Sequence, residues 1–428
     1  TGLVAAHRLV KQGLKVTIVE ASPILGGLAS SVTLKGMKPV EKYYHFICRE
    51  DNDLINFIDE LNLSHKLSWR EGSTSIFVNG KTYHFNTPLD LLNFSPIPFS
   101  QRVRFGINII ASEFRKNWKG LDKIAAKPFL INRIGQAAYM AIWDPLLRIK
   151  FGEFHEEVSA AWVWHRIHRI SRSRTNFFGT NSYGFLEQGC FTLVQRIVQN
   201  LIGHDGCSMI INRRVSKILI KNDRVSGLQF ENGQTIDADF IISTCSIPNF
   251  IKLLDSLGTY GAKLASIRYL DIVCALFELD RSFSNNFWLN VNDPRISFNG
   301  LVETTNLNPR TDLKGSHLLY IPYYLTQINP RWSWSDSQYY DDYVMALKLI
   351  EPNFNEKWIL NFNIFRDANA QAVCKLNFLE VVPEMRTPIK GLYINDSAQY
   401  YPEDRTLSAS VRLGTSVSEF LIRDLRHS

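Results

Sequence analysis

The sequence predicts an α/β protein in which a discontinuous Rossmann-like dinucleotide-binding domain carries a mixed α+β substrate or cap domain. Three observations point there. The opening stretch TGLVAAHRLVKQGLKVTIVE has the order of a nucleotide-binding βαβ unit from its first helix onward. The closing stretch GLYINDSAQYYPEDRTLSASVRLG sets a strand, an acid, a loop and a helix in succession. Between them lie long blocks of different texture, and 428 residues are more than one simple core holds.

Taken in order, Gly2 opens a helical run Leu3 to Gln12, Gly13 stops it, and the apolar strand Val16 to Val19 ends at Glu20. In such units the last glycine of G-x-G-x-x-G sits at the helix start, and an acid about twenty residues on takes the ribose hydroxyls. The first strand and the first two glycines precede that point, so a truncated N-terminus is expected. An ordinary surface helix followed by a strand ending in Glu would read the same way. In ASPILGGLASSV, Gly26 and Gly27 permit close backbone approach and Ser30 to Leu34 read as a short strand. EKYYHFIC reads as an aromatic strand with His45 at its end, before a helix with Leu54, Phe57, Ile58 and Leu61 on one face. His45 there could face a ligand, although a single His in an aromatic run is commonly structural.

Asn79-Gly80 within STSIFVNGKTYHF is a hairpin signal. Residues 88–184 turn helical. Helix Ser100 to Phe114 carries Val103, Ile107, Ile110 and Phe114 toward one side, and the Trp-rich SAAWVWHRIHRI follows. Such an insert fits a cap with an apolar substrate cavity or a membrane-facing patch, and plain core packing explains the stripe equally well. GFLEQGCFTLVQRI is a loop feeding an amphipathic helix. NRRVSKI and ADFIISTCSIP give strands, with a hairpin at Asn232-Gly233 and a buried strand Phe240 to Ser243. Residues 250–380 mix helix and strand, including a helix opened by the polar aromatic segment INPRWSWSDSQYYDDYV.

At the end, strand Leu392 to Ile394 runs into Asn395-Asp396, a Pro-containing loop, and a helix from about Thr406. This layout suits a flavin: the acid meets the ribityl or phosphate region, and helix-end N–H groups stabilise negative charge on the ring. The expected division is 1–72, 185–250 and 381–428 for cofactor binding, with 73–184 and 251–380 as the substrate or cap domain.

Composition narrows the class. Apolar residues make up 45% and charged residues 21%, which is globular. The net charge of +7 could suit an anionic ligand, a membrane surface or nucleic acid, but only Arg166 to Arg174 is densely basic, which argues against nucleic acid. Six scattered cysteines without a C-x-x-C pair argue for a reducing compartment and against a zinc site or disulfide framework.

These motifs, with WDPLLRIKFGE, resemble the FAD-dependent amine oxidase, protoporphyrinogen oxidase and phytoene desaturase superfamily, and within it bacterial protoporphyrinogen-oxidase-like flavoproteins. The resemblance covers nearly the whole chain. It implies FAD as cofactor, with Gly2 as the third phosphate-loop glycine, and Glu20 with Ala21 at the adenosine ribose. Gly26, Gly27, Leu28 and Ala29 would run past the pyrophosphate, and Val215 would hold the adenine by its main chain. Asp396 matches the acid of the usual Gly-Asp pair, and Leu407 opens the helix aimed at the flavin. Three departures stand out: the first two phosphate-loop glycines are absent, Gln188 replaces one glycine of a Gly-Gly pair, and Asn395 replaces the Gly before Asp396. No catalytic residue is assigned; His45, Tyr400, Tyr401 and Arg405 are the candidates nearest the ring, and Arg405 could instead pair with Glu403 or Asp404. A lysine bonded through water to flavin N5 finds no place in the sequence.

The expected activity is an oxidase or desaturase transferring a hydride from a hydrophobic small-molecule substrate to flavin N5. Two alternatives stay open: a non-redox sugar isomerase resembling UDP-galactopyranose mutase, and a degenerate binding protein. A cytoplasmic location is expected, with peripheral contact at the inner membrane face through the helical cap, no nucleic-acid partner and no metal.

Overall fold

The computed structural model describes residues 1–34, 39–115, 117–172 and 180–426. Residues 173 and 174 of the basic stretch fall outside these.

The opening motif folds as expected. Helix Gly2–Val10 leads to strand Val16–Val19, which pairs in parallel with Cys207–Ile210. A second parallel pair joins Ile241–Ser243 to Leu392–Ile394. The last helix, Leu407–Arg426, lies on the first. Their close approach requires Gly414: a Cβ there would stand 2.7 Å from the Thr1 carbonyl oxygen and 2.8 Å from Val4 Cβ. Buried Val411, Val417 and Leu421 of the last helix repeat at helical spacing, as the sequence predicts. A three-stranded antiparallel meander, Val215–Lys221, Arg224–Phe230 and Thr235–Asp237, completes this end of the molecule.

The largest sheet has seven strands, in the order Ile359–Ala372, Tyr269–Leu279, His317–Leu325, Gly300–Glu303, Trp288–Val291, Thr74–Val78, Lys81–His84. Two regions almost two hundred residues apart therefore share one sheet, joined by the parallel pair Trp288–Val291 and Thr74–Val78. The edge hairpin turns at Asn79-Gly80 with φ of 52° and 74°, the double left-handed conformation that makes Asn-Gly a hairpin signal. Tyr269–Leu279 is buried along its whole length, between two long neighbours. The expected domain break at 184/185 falls inside strand Ser182–Leu186, which pairs with Leu67–Glu71.

Helices Pro88–Asn93, Phe99–Phe114, Ala126–Ile134, Asp144–Phe151 and Ala160–Arg172 form the cap. Its tryptophans divide the two readings of the insert. Trp162 and Trp164 are buried, so that stripe is core, whereas the apolar side of Phe99–Phe114 faces outward. Among the described residues no helix is long and apolar enough to cross a membrane.

Two elements differ from expectation. The stretch read as a loop before the amphipathic helix begins with strand Ser182–Leu186, held by its ladder with Leu67–Glu71. Around the aromatic stretch only Pro39–Glu41 is a strand; Tyr43 to Phe46 lies outside any strand, so His45 is not at a strand end. Side chains replace the missing strand partners. Tyr43 Oη donates to Asp367 at 2.7 Å, His45 N–H donates to Glu41 Oε2 at 3.1 Å, and Tyr44 packs edge-on against Trp288.

Candidate active site

The cofactor end is built at the C-terminal edge of the parallel strands, where such folds leave a crevice. Gly2 starts the first helix, and a Cβ on it would meet Thr244 Oγ1 at 3.2 Å, so strand Ile241–Ser243 ends directly beside the helix N-terminus. Glu20 follows Val19; its carboxylate accepts Ser22 N–H at 2.8 Å, which fixes it at the strand tip, with Ala21 next in the chain. The Arg213 N–H donates to the Glu20 carbonyl, and this tie brings Val215, the first residue of the meander, toward the same tip. Gly26 and Gly27 have φ of 118° and 57°, so the loop into the short helical turn Gly27–Ala29, containing Leu28 and Ala29, needs glycine at both places.

Asp396 is placed differently from a free ligand. Its buried carboxylate accepts Tyr269 Oη at 2.5 Å, Ala398 N–H at 2.7 Å and Ile247 N–H at 3.2 Å, and burial raises its pKa despite these donors. It caps the short turn Ser397–Tyr400 through a capping box with Gln399. The neighbouring Asn395 donates Nδ2 to the Leu413 carbonyl while its buried Oδ1 has no partner, and Ser246 Oγ is likewise buried and unpartnered. Buried polar atoms without partners are uncommon in proteins. Here two of them sit after the tips of paired parallel strands, beside a glycine-started helix. That donor and acceptor set fits FAD. Asn395, set aside in the sequence as a replaced glycine, and Ser246 are positions the motif reading missed; only their place just after apolar strands could have marked them.

Against the large sheet, where Tyr320 Oη donates to the Glu41 carbonyl at 2.7 Å, Glu41, His45 and Cys190 bring candidate ligand atoms within 4.8 Å of one another. They form a hydrogen-bonded trio: the Glu41 carboxylate accepts the Cys190 N–H and lies 3.3 Å from His45 Nδ1. Burial pushes the Glu41 carboxyl up, but His45 and the Cys190 donors outweigh it and hold it below its ordinary value. Burial, with Glu41 alongside, drives the Cys190 thiol well up, which keeps it protonated.

Beyond the trio opens a cavity of about 310 Å³. Its walls include Tyr44, Phe46, Phe105, Trp143, Trp288 and Tyr324, and His45, Arg405 and Leu407 of the sequence-predicted set reach it. Four cations, Lys150, Arg166, Arg169 and Arg405, line it against two carboxylates, Asp51 and Asp404. Asp404 accepts Lys150 Nζ at 2.9 Å, Arg166 Nη1 at 3.1 Å and Gln371 Nε2 at 2.7 Å. Burial opposes its charge, yet Lys150 and Arg166 hold its carboxyl well below the usual range. Arg169 Nη2 bonds Asp51 at 3.0 Å and stacks over Phe46. His165 is depressed to about 3, by burial first and then by Arg169, so it is neutral at pH 7. The cations of the wall thus outnumber its acids by two.

Two of the candidates, Tyr400 and Tyr401, do not line this cavity. Tyr401 is buried with its hydroxyl donating to Asp122 Oδ1 at 2.6 Å and bonded to Ser159 at 2.7 Å, and Tyr400 Oη pairs with Ser410 at 2.8 Å. Arg405 does not pair with Glu403 or Asp404 through its guanidinium, which donates to the Ala370 carbonyl at 2.9 Å, because Arg412 takes Glu403 and Lys150 with Arg166 takes Asp404. Lys150, from WDPLLRIKFGE, is a buried lysine on the cavity wall that the sequence alone did not place.

Three solved structures share this architecture. An oxidoreductase from Methanosarcina mazei superposes with a TM-score of 0.74 at 19% identity, covering 97% of each chain. Reduced UDP-galactopyranose mutase gives 0.76 at 15%, covering 99% of this chain and 93% of the other. Cyclohexylamine oxidase from Brevibacterium oxydans IH-35A gives 0.71 at 16%, covering 99% and 97%. At such identities the likeness is one of fold. No curated protein matches the chain. A family model described as flavin containing amine oxidoreductase matches residues 1–389. The chain therefore belongs to the flavin-containing amine oxidoreductase family and is an FAD-dependent oxidoreductase.

Proposed function

We infer that the protein oxidises a largely apolar small molecule that carries one anionic end. The cavity supports this reading: aromatic walls with a surplus of two positive charges. In the proposed division of labour, 1–72, 185–250 and 381–428 hold FAD, through Gly2, Glu20, Ala21, Gly26 to Ala29, Val215, Asn395 and the helix from Leu407, while 73–184 and 251–380 hold the substrate. FAD supplies an N5 acceptor for a hydride from a substrate C–H or C–N bond. The chain's own residues do the rest by position and electrostatics. Phe46, Trp288, Tyr324 and Trp143 exclude water, which strengthens every charge interaction inside. Arg169 and Arg405 receive the anionic end, and Trp143 Nε1, buried without a partner, offers a further donor. Asp404 positions Lys150 and Arg166, and its charge works against the burial that lowers the Lys150 pKa. Neutral His165 adds no charge.

The experiment is anaerobic reduction of the FAD-loaded protein by matched pairs of apolar compounds, each carboxylate beside its amide and its amine. Bleaching of the flavin band by the carboxylate member at lower concentration supports the reading. Preference for the amine, or no bleaching across the series, overturns it. The surplus charge also favours a second reading, non-redox isomerisation of a nucleotide sugar as in the mutase of similar fold. That reading requires turnover by the pre-reduced protein with no electron acceptor consumed.

A further inference from the structure

The helix Phe99–Phe114 is amphipathic in the wrong sense for a core element. Its buried positions include the polar Asn108 and Ser112, and the Ser112 carbonyl accepts Trp164 Nε1 at 3.2 Å and lies 3.1 Å from His168 Nδ1. Its outer positions carry large apolar groups: Phe99, Val103, Ile107, Ile110 and Phe114 are 63%, 38%, 60%, 38% and 77% exposed. At roughly 100° per residue these five fall within an arc of about 80°, a single stripe along the helix. Leu89 and Leu92 of the preceding helix, Pro88–Asn93, are exposed beside it in sequence and extend the apolar surface. Monomeric proteins seldom leave such a contiguous patch uncovered.

The charges beside the stripe say what covers it. The helix carries Arg102 and Arg104, ends at Arg115, and has one acid, Glu113, which is half-buried. Arg115 and Arg133 share a surface hollow with Phe114, and exposed Lys119 and Lys123 follow in the next turn. We propose that this face docks on the surface of an anionic phospholipid bilayer, with the five apolar side chains in the headgroup–acyl boundary and the flanking arginines and lysines on lipid phosphates. A second copy of the chain would set these cations against one another, so charge favours lipid. The opposite side of the same helix, through Phe105 and Ile109, lines the large cavity. One helix thus separates the docked surface from the proposed substrate space. The docking itself does not depend on the flavin chemistry.

The test uses the FAD-loaded full chain in vesicle flotation, with phosphatidylglycerol and phosphatidylcholine in equal proportion against phosphatidylcholine alone. The protein is expected to float with the anionic vesicles and to be released by high salt. A combined variant, Phe99→Ser, Ile107→Ser and Phe114→Ser, should bind at least ~10-fold more weakly, because three large exposed side chains are lost. Since these side chains point outward, its melting midpoint and flavin absorbance should match the parent. Arg104→Glu with Arg115→Glu should abolish the preference for anionic vesicles. Absence of flotation, equal flotation of the serine variant, or a dimer that the serine variant dissociates would each overturn the proposal. Flavin reduction is read separately, so loss of lipid binding and loss of activity are distinguishable.

Discussion

Replacing Asp404 with Asn keeps the shape of the side chain and removes the charge that holds Lys150 and Arg166. Its carboxylate receives four donors, from Lys150, Arg166, Gln371 and the Arg405 backbone, and its side chain is 19% exposed. Removing one member of a buried ion pair costs about 3–5 kcal/mol, and residual exposure places this site at the lower end, about 3 kcal/mol. Unfolding entropy near 2.1 cal/mol/K per residue gives roughly 0.9 kcal/mol/K for a chain of this length, so the midpoint should fall by about 3 °C. The assay is thermal unfolding followed by circular dichroism, at one FAD concentration for parent, Asp404→Asn, Lys150→Met and the double variant. In the cycle the double variant should be less destabilised than the sum of the singles by about 2 kcal/mol, because the stranded ammonium is gone. A strictly additive cycle would refute the claim that Asp404 carries Lys150.

Three further outcomes are expected. His165 titrates near 3 when folded and about 6.5 when unfolded, so the unfolded chain binds more protons between these values and stability rises with pH across that window; roughly 2 kcal/mol should be lost between pH 6.5 and 5, and His165→Leu should flatten the slope in pH-dependent urea unfolding. Gly414→Leu drives a side chain into the Thr1 carbonyl and Val4, and should cost about 3 kcal/mol or more by the same measurement; an unchanged midpoint would mean the two helices do not pack as described. Ser246→Ala removes a polar atom that has no protein partner, so it should weaken FAD binding by about fivefold in fluorescence titration while leaving the stability of the cofactor-free chain unchanged; Asn395→Ala should weaken FAD binding too, and should also cost the cofactor-free chain about 1 kcal/mol or more, because the buried Leu413 carbonyl loses its donor.

What could be read from the sequence was local. The run from Gly2 to Glu20, the Asn79-Gly80 turn and the last strand and helix each announce themselves over a few residues, through glycine placement and apolar periodicity. The loop Tyr43 to Phe46 misled because aromatic residues favour strands; beside the local Glu41, its actual support comes from Asp367 and Trp288, which lie more than two hundred residues away and are not predictable as neighbours. The charged wall of the cavity was hidden for the same reason. Asp51, Lys150, Arg166 and Asp404 look like ordinary surface charges in their own segments, and only folding brings them together. The outward stripe of Phe99–Phe114 was visible as a stripe, but its direction depends on what the neighbouring helices already bury.

The packing of Gly414 against Thr1 and Val4 has a bearing on biosynthesis. Residues more than four hundred positions apart in sequence complete the same wall, and Ile241–Ser243 gains its parallel partner only when Leu392–Ile394 arrives. A nascent chain emerging from the ribosome holds every strand of the seven-stranded sheet before it holds this closure. The parallel pair and the Gly414 contact are therefore both in place only after the helix Leu407–Arg426 has been made.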